Sequence, residues 1–185
     1  MLGLACLALA MQANAFVDPL SLAGSAVSTA MDVRTKTEVK NDVEIDAALT
    51  KKLLEAKGDD LKNVSALVFA QQAVLVGYVK NEEARRKAEE LAKADKRIRS
   101  LKNDIVVGSP AGGMAGNLVL DKKIGAVLTA AKGVNSVNLR WKAYGGEVFL
   151  MGIAKSKAEA DLAVAKIRGL DGVKNVRSSL RIGRK

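Results

Sequence analysis

The chain has 185 residues, of which 49% are hydrophobic and only 3% aromatic, with 30 Lys and Arg against 20 Asp and Glu for a net charge of +10. That apolar fraction excludes a disordered chain and supplies an aliphatic core, and the length suits one ordinary domain or two very small ones. The basic surplus favours acidic partners: anionic lipid headgroups, nucleic acid or acidic polymers. There is no histidine, which removes Ser-His-Asp and Cys-His catalysis, histidine zinc sites and imidazole proton shuttles.

An apolar run from Leu2 to Met11 precedes Ala13-Asn14-Ala15, the small-x-small pattern of a signal-peptidase site. The run is too short to span a bilayer. Residues 1–15 are therefore expected to be a signal peptide, although no Lys or Arg precedes the run; that lack points either to a start further upstream or to a buried N-terminal helix instead. Cleavage would leave Phe16 at the start and remove Cys6, the single cysteine, so no disulfide or thiol chemistry is expected. Residues 16–45 form a lead segment, with a short helix expected at 18–32 and polar, extended chain at 33–44.

From residue 46 onward the chain repeats itself without a gap at an offset of 75. Leu53 falls on Leu128, Ala56-Lys57-Gly58 on Ala131-Lys132-Gly133, Leu75 on Leu150, Gly77 on Gly152, Ala88 on Ala163 and Gly108 on Gly183. In the first copy (46–108) the pattern predicts a helix at 46–57, strands at 62–69 and 73–79 joined at Gln71-Gln72, a helix at 82–94 capped by Asn81, and a strand at 101–107. A Gly-rich linker is expected at 109–118. The second copy (119–185) opens with Ile124, Val127, Leu128 and Ala131 on one helical face, stopped by Gly133. Strands at 137–144 and 147–154 meet at Gly145-Gly146, a strong hairpin signal. Ser156 caps a helix carrying Ala160, Ala163, Val164 and Ile167, and 173–182 is the last strand.

These elements imply an α+β fold of two αββαβ modules. Each is a three-stranded mixed sheet with two helices on one face, its last strand reached by a right-handed parallel crossover. The middle strands, 73–77 and 148–153, are apolar on both faces. Val74, Val76, Phe149, Met151 and Ile153 therefore need cover on the helix-free side, from the other module or from a partner. Gly77 and Gly152 are read as structural, each where an apolar strand bends or backbone approaches backbone, and Gly172 as a turn with positive φ. Gly112, Gly113 and Gly116 lack the GxxxxGK pattern of a phosphate loop.

Catalytic and metal sites are not expected. The acidic pairs Asp59-Asp60, Glu82-Glu83 and Glu89-Glu90 are sequence neighbours; on a helix such neighbours diverge and cannot work as an acid/base pair. The charge itself is uneven. Residues 16–45 carry −2, residues 46–108 carry +3 and residues 121–185 carry +9. Strand alternation places Arg140, Lys142 and Tyr144 on one face and Arg177 with Arg181 on one face of the last strand, while Lys122 and Lys123 open a helix. These seven residues are the candidate lipid-binding set, with each surface cation worth about 1 kcal/mol near a charged membrane. Trp141 alternates with them and is expected in the core with Leu139 and Ala143.

The segments GGEVFLMGIA (145–154), LDGVKNVRSSLRI (170–182) and AVLVGYVKNEEARRKAEELA (73–92) resemble the BON domain, found in pairs in exported proteins of Gram-negative bacteria. The first copy departs from the pattern, with Arg97 where the second has Gly172 and no glycine at its hairpin. The resemblance implies an αββαβ fold, a periplasmic or outer-membrane-associated location, and phospholipid binding or envelope stabilisation under osmotic or other stress. It implies no catalytic residues and no cofactor. The partner it favours is an anionic phospholipid membrane. A second possibility is another envelope protein, or self-association, through the helix-free sheet faces. Nucleic acid is disfavoured, because no aromatics interleave with the basic residues for stacking.

Overall fold

The computed structural model describes residues 31–56, 61–109 and 114–183. The expected signal peptide and all but the last two residues of the helix expected at 18–32 lie outside them. Two αββαβ modules are present, as the repeat implied. Module one comprises α1 (Lys36–Glu55), β1 (Val64–Phe69), β2 (Gln72–Val79), α2 (Glu82–Lys93) and a last strand in two pieces, β3 (Ser100–Asn103) and β4 (Val106–Val107). Module two comprises α3 (Met114–Ala130), a short 3-10 turn (Ser136–Asn138), β5 (Leu139–Tyr144), β6 (Glu147–Ala154), α4 (Lys157–Arg168) and β7 (Asn175–Ile182). In each sheet the middle strand is antiparallel to the first and parallel to the last.

Both first helices begin earlier than the repeat suggested. Residues 36–44 are helical, not extended, because Thr35 and Glu38 form a capping box: Thr35 Oγ1 accepts from Glu38 N at 3.2 Å and the Glu38 carboxylate accepts from Thr35 N at 2.9 Å. The buried stripe of α1 is Asp42, Ile45, Leu49 and Leu53. Its first member is an acid, so counting apolar residues overlooks the first turns. Likewise α3 starts at Met114, inside the stretch expected to be linker. Asn117 on its second turn accepts a hydrogen bond from Gly145 N at 2.8 Å and ties the helix to the hairpin turn.

The hairpin of module one turns at Ala70-Gln71, one residue before the expected position, and both residues adopt positive φ (52° and 58°). Module two turns at the equivalent Gly145-Gly146, with φ of 60° and 90°. Alanine in the left-handed region costs about 1–2 kcal/mol that glycine avoids. Ala70→Gly is therefore expected to stabilise the protein by about 1 kcal/mol and raise its melting temperature by about 2–4 °C for a chain of this length. A fall in a calorimetric scan would mean that the Ala70 methyl, packed on the apolar cluster described below, matters more than its backbone conformation.

Each module has its own aliphatic core between its helices and its sheet. In module one Ile45, Leu49 and Leu53 of α1 and Ala84, Ala88 and Ala92 of α2 close on Val68, Leu75 and Val79. In module two Ile124, Leu128, Ala163 and Ile167 close on Leu139, Val148 and Leu150, with Trp141 packed half-buried beside them and its indole N–H donating to Asp121 O at 3.0 Å. A third cluster joins the modules: Leu67, Phe69, Val74 and Val76 from one sheet meet Tyr144, Phe149 and Met151 from the other, with Tyr78 and Ile153 at its margin. The two helix-free faces thus cover each other, giving a four-layer order of helices, sheet, sheet, helices. An adaptor role through open helix-free faces does not fit this packing, because those faces are already buried. Tyr144 sits at the junction, edge-on to both Tyr78 (6.2 Å between ring centroids) and Phe149 (6.3 Å).

Candidate functional site

Strand alternation places side chains on a face, but packing decides whether that face meets solvent. Arg140, Lys142 and Tyr144 do alternate on β5, and all three are engaged within the protein. The Arg140 guanidinium donates to the carbonyls of Val137 (3.1 Å) and Leu139 (2.8 Å) and lies 5.2 Å from the Phe69 ring centroid of module one. Arg34 lies over the same ring at 4.4 Å. Lys142 reaches the carboxylate of Asp121 on α3 at 2.9 Å; Asp121 is buried and also accepts from Ala143 N at 2.7 Å. Burial pushes the Asp121 carboxyl above its ordinary value, with Lys142 opposing. Tyr144 is buried, its hydroxyl shares a 2.7 Å hydrogen bond with Ser65 of module one, and burial pushes its pKa up to about 12.

Arg177 on β7 is engaged too. Its Nε donates to Glu147 at 2.6 Å, and its guanidinium lies 5.8 Å from the Phe149 ring centroid. Glu147 also accepts from Asn175 (2.8 Å) and, across the module boundary, from the Tyr78 hydroxyl (3.0 Å). Burial pushes the Glu147 carboxyl up, but these hydrogen bonds and the Arg177 charge outweigh it and hold it below its ordinary value. A third polar bridge between modules, after Ser65–Tyr144 and Tyr78–Glu147, runs from Lys102 to Ser179 at 2.8 Å, with Ser179 donating to Asp104.

Lys122, Lys123 and Arg181 are solvent-exposed, as is Arg177 despite its pairing with Glu147. They do not form one patch: the lysines are on α3, which packs beside β5, and Arg181 is on β7 at the opposite edge of the sheet. One turn before the lysines, Leu118 and Val119 are 42% and 54% exposed. The i to i+4 spacing stacks Leu118 with Lys122 and Val119 with Lys123 on one surface of α3. Leu118 falls inside the expected linker and Val119 just beyond it, so neither apolar residue drew notice in the sequence. At the equivalent positions module one has Val43, Glu44, Ala47 and Ala48, so this two-by-two strip belongs to module two, although α1 also exposes Val43 (63%) and Leu54 (70%).

The three glycines singled out in the sequence all have positive φ: 121° at Gly77, 136° at Gly152 and 93° at Gly172. At Gly77 a Cβ would run into the Asn63 carbonyl, and at Gly152 into the Asn138 carbonyl. Among the described residues no group of three or more His, Cys, Asp or Glu side chains is placed to hold a metal ion, and no helix is long and apolar enough to cross a membrane.

A protein of Anaplasma centrale described as "Uncharacterized protein in gshII 5'region" is 29% identical over 123 residues, covering 65% of this chain and 82% of that protein. Two structures of CdsD, a structural protein of the type III secretion system of Chlamydia trachomatis, are similar at 18% identity. One, of its C-terminal domain, covers 73% of this chain at a TM-score of 0.33; the other covers 72% at 0.31. This chain spans 64% and 61% of those two chains, under two thirds of each. The BON domain model matches twice, at residues 41–109 and 118–184, on the two modules that the repeat and the paired sheets delimit, and the chain belongs to the BON domain family as a tandem of two such domains.

Proposed function

We propose that this protein is a non-catalytic periplasmic protein that docks on anionic phospholipid surfaces through its second BON domain and so supports envelope integrity under stress. BON domains are associated with membrane and envelope binding. The observation that carries the reading is the exposed strip Leu118, Val119, Lys122 and Lys123 on α3, in the module that holds a charge of +9. Exposed apolar side chains flanked by lysines suit an interface where the former enter the acyl boundary and the latter meet phosphate. Two lysines at about 1 kcal/mol each, with two partly inserted apolar residues, make a reversible and salt-sensitive attachment. The absence of histidine, and the ordinary helix-surface pairing of Glu82 with Arg85 and Glu89 with Lys93, favour binding over chemistry.

Flotation with phosphatidylglycerol-containing liposomes tests it. The protein is expected to co-float at low salt, to be released at high salt, and to ignore neutral vesicles. Lys122→Glu with Lys123→Glu should reduce co-flotation about tenfold or more. Arg181→Glu, on the far edge, should change it little. Equal binding to neutral vesicles, or no binding at low salt, would refute the reading.

A further inference from the structure

The last strands of the two modules differ in how their outer edges are finished. β7 pairs with β6 on one side only. At the start of β7 the amides of Lys174 (2.8 Å) and Asn175 (3.3 Å) share the carbonyl of Gly146 in the hairpin turn, and past its end Gly183 N donates to Ala154 of β6. By the alternation of a parallel ladder, odd-numbered β7 amides face β6 and those of Ser178, Leu180 and Ile182 face outward. Among the described residues the one hydrogen bond that these three amides make is Leu180 N to Ser178 Oγ, at a long 3.4 Å. No proline, bulge or covering segment among the described residues blunts this edge, the usual protections for an exposed strand.

Directly beneath the edge, between β7 and α4, lies a groove of about 740 Å³ lined by Ala160, Val164, Leu180 and Ile182, with Lys157 and Arg168 along its wall. Module one closes the equivalent space. There Asn103, equivalent to Ser178, donates to Glu89 at 2.9 Å and to the Arg85 carbonyl at 3.3 Å, and its own Oδ1 accepts from Ile105 N. Val164 and Ala160 stand where module one has Glu89 and Arg85. The Asn103–Glu89 side-chain bridge of one repeat is thus replaced in the other by the shorter Ser178 on the strand and the apolar Val164 on the helix.

We infer that the β7 edge and the α4–β7 groove accept an extended segment of another protein by strand addition, a segment alternating apolar side chains with carboxylates. The apolar residues would enter the groove against Val164 and Leu180, and the carboxylates would lie beside Arg181 on the opposite face. Charge selects this occupant over a second copy of the chain. Antiparallel pairing of two β7 strands centred on Ser179 would set Arg177 opposite Arg181 twice, a like-charge contact. The site is on the opposite edge of the sheet from the strip proposed for lipid, so the two readings stand or fall separately.

The experiment titrates the full chain with a soluble eight-residue peptide alternating Glu with Val or Leu, followed by amide chemical shifts. Three control peptides are a scrambled sequence, one with Lys for Glu, and one N-methylated on the amides facing β7. Binding at about 10–100 µM, with shifts confined to β7 and α4, is expected, along with a loss of about tenfold or more for each control. N-methylation leaves the protein untouched, so misfolding cannot imitate the result. Val164→Glu, which restores the residue type of module one, should also block binding, and Val164→Ala measures how much of that effect is packing lost from the second core. Absence of binding at 1 mM, equal binding of the N-methylated peptide, or a dimer that the peptide displaces would overturn the inference.

Discussion

Gly152→Ala is expected to unfold the second module or nearly so, at a cost of about 4 kcal/mol or more out of the roughly 5–15 kcal/mol that holds a domain together. The backbone at Gly152 has φ of 136°, and a Cβ there would penetrate the Asn138 carbonyl oxygen while lying 3.0 Å from Leu139 Cα. Both obstacles are backbone where the 3-10 turn runs into β5, which no side-chain rotation can move aside. Gly77→Ala meets the same obstruction at Asn63 in the first module and should behave alike. Gly133→Ala is the control: its φ is 91°, but its nearest neighbour is a flexible Leu162 methyl at 3.5 Å, so about 1–2 kcal/mol is expected. Urea unfolding of the three variants would check the order. If Gly152→Ala cost no more than Gly133→Ala, the 3-10 turn before β5 would have to be far more yielding than its packing indicates.

Asp42→Ala is expected to cost about 3–5 kcal/mol. The buried carboxylate accepts from Ala70 N at 2.7 Å, from Gln71 N at 2.6 Å and from Arg34 Nη1 at 3.0 Å. Truncation would leave two amides of a left-handed turn without an acceptor and take from the buried Arg34 one of its two carboxylates, Asp32 being the other. Asp42→Asn should cost about half as much, since the equivalent Asn117 holds the glycine turn of module two through a single bond. A loss under about 1 kcal/mol for Asp42→Ala would show that water reaches the turn and replaces the carboxylate. Adding Ala70→Gly to Asp42→Asn should recover part of the loss, because the turn would then need less holding.

Much of the architecture is legible in the sequence. The 75-residue offset, the 3.6-residue stripes and the Gly145-Gly146 turn report on local backbone geometry, and that geometry is written in nearby residues. The early starts of α1 and α3 were not legible, since their first anchoring residues, Asp42 and Asn117, are polar and act on a hairpin turn 28 residues later. Alternation correctly put Arg140, Lys142 and Tyr144 on one face of a strand. It carried no information about what that face would meet.

The sequence by itself therefore determined the two αββαβ modules, their strand order, the need for glycine at 77 and 152, and the concentration of positive charge in the second module. Each of these follows from periodicity, backbone sterics or composition, which act over short stretches of chain. Only the tertiary structure decided that the helix-free sheets close on each other, that Arg140, Lys142 and Tyr144 are held in internal contacts while Arg177 pairs with Glu147 at the surface, and that Lys122, Lys123, Leu118, Val119 and the β7 edge are left uncovered by the described residues. Those outcomes depend on burying about seven large apolar side chains across a boundary between residues some 75 positions apart. No local pattern records which surface supplies the cover.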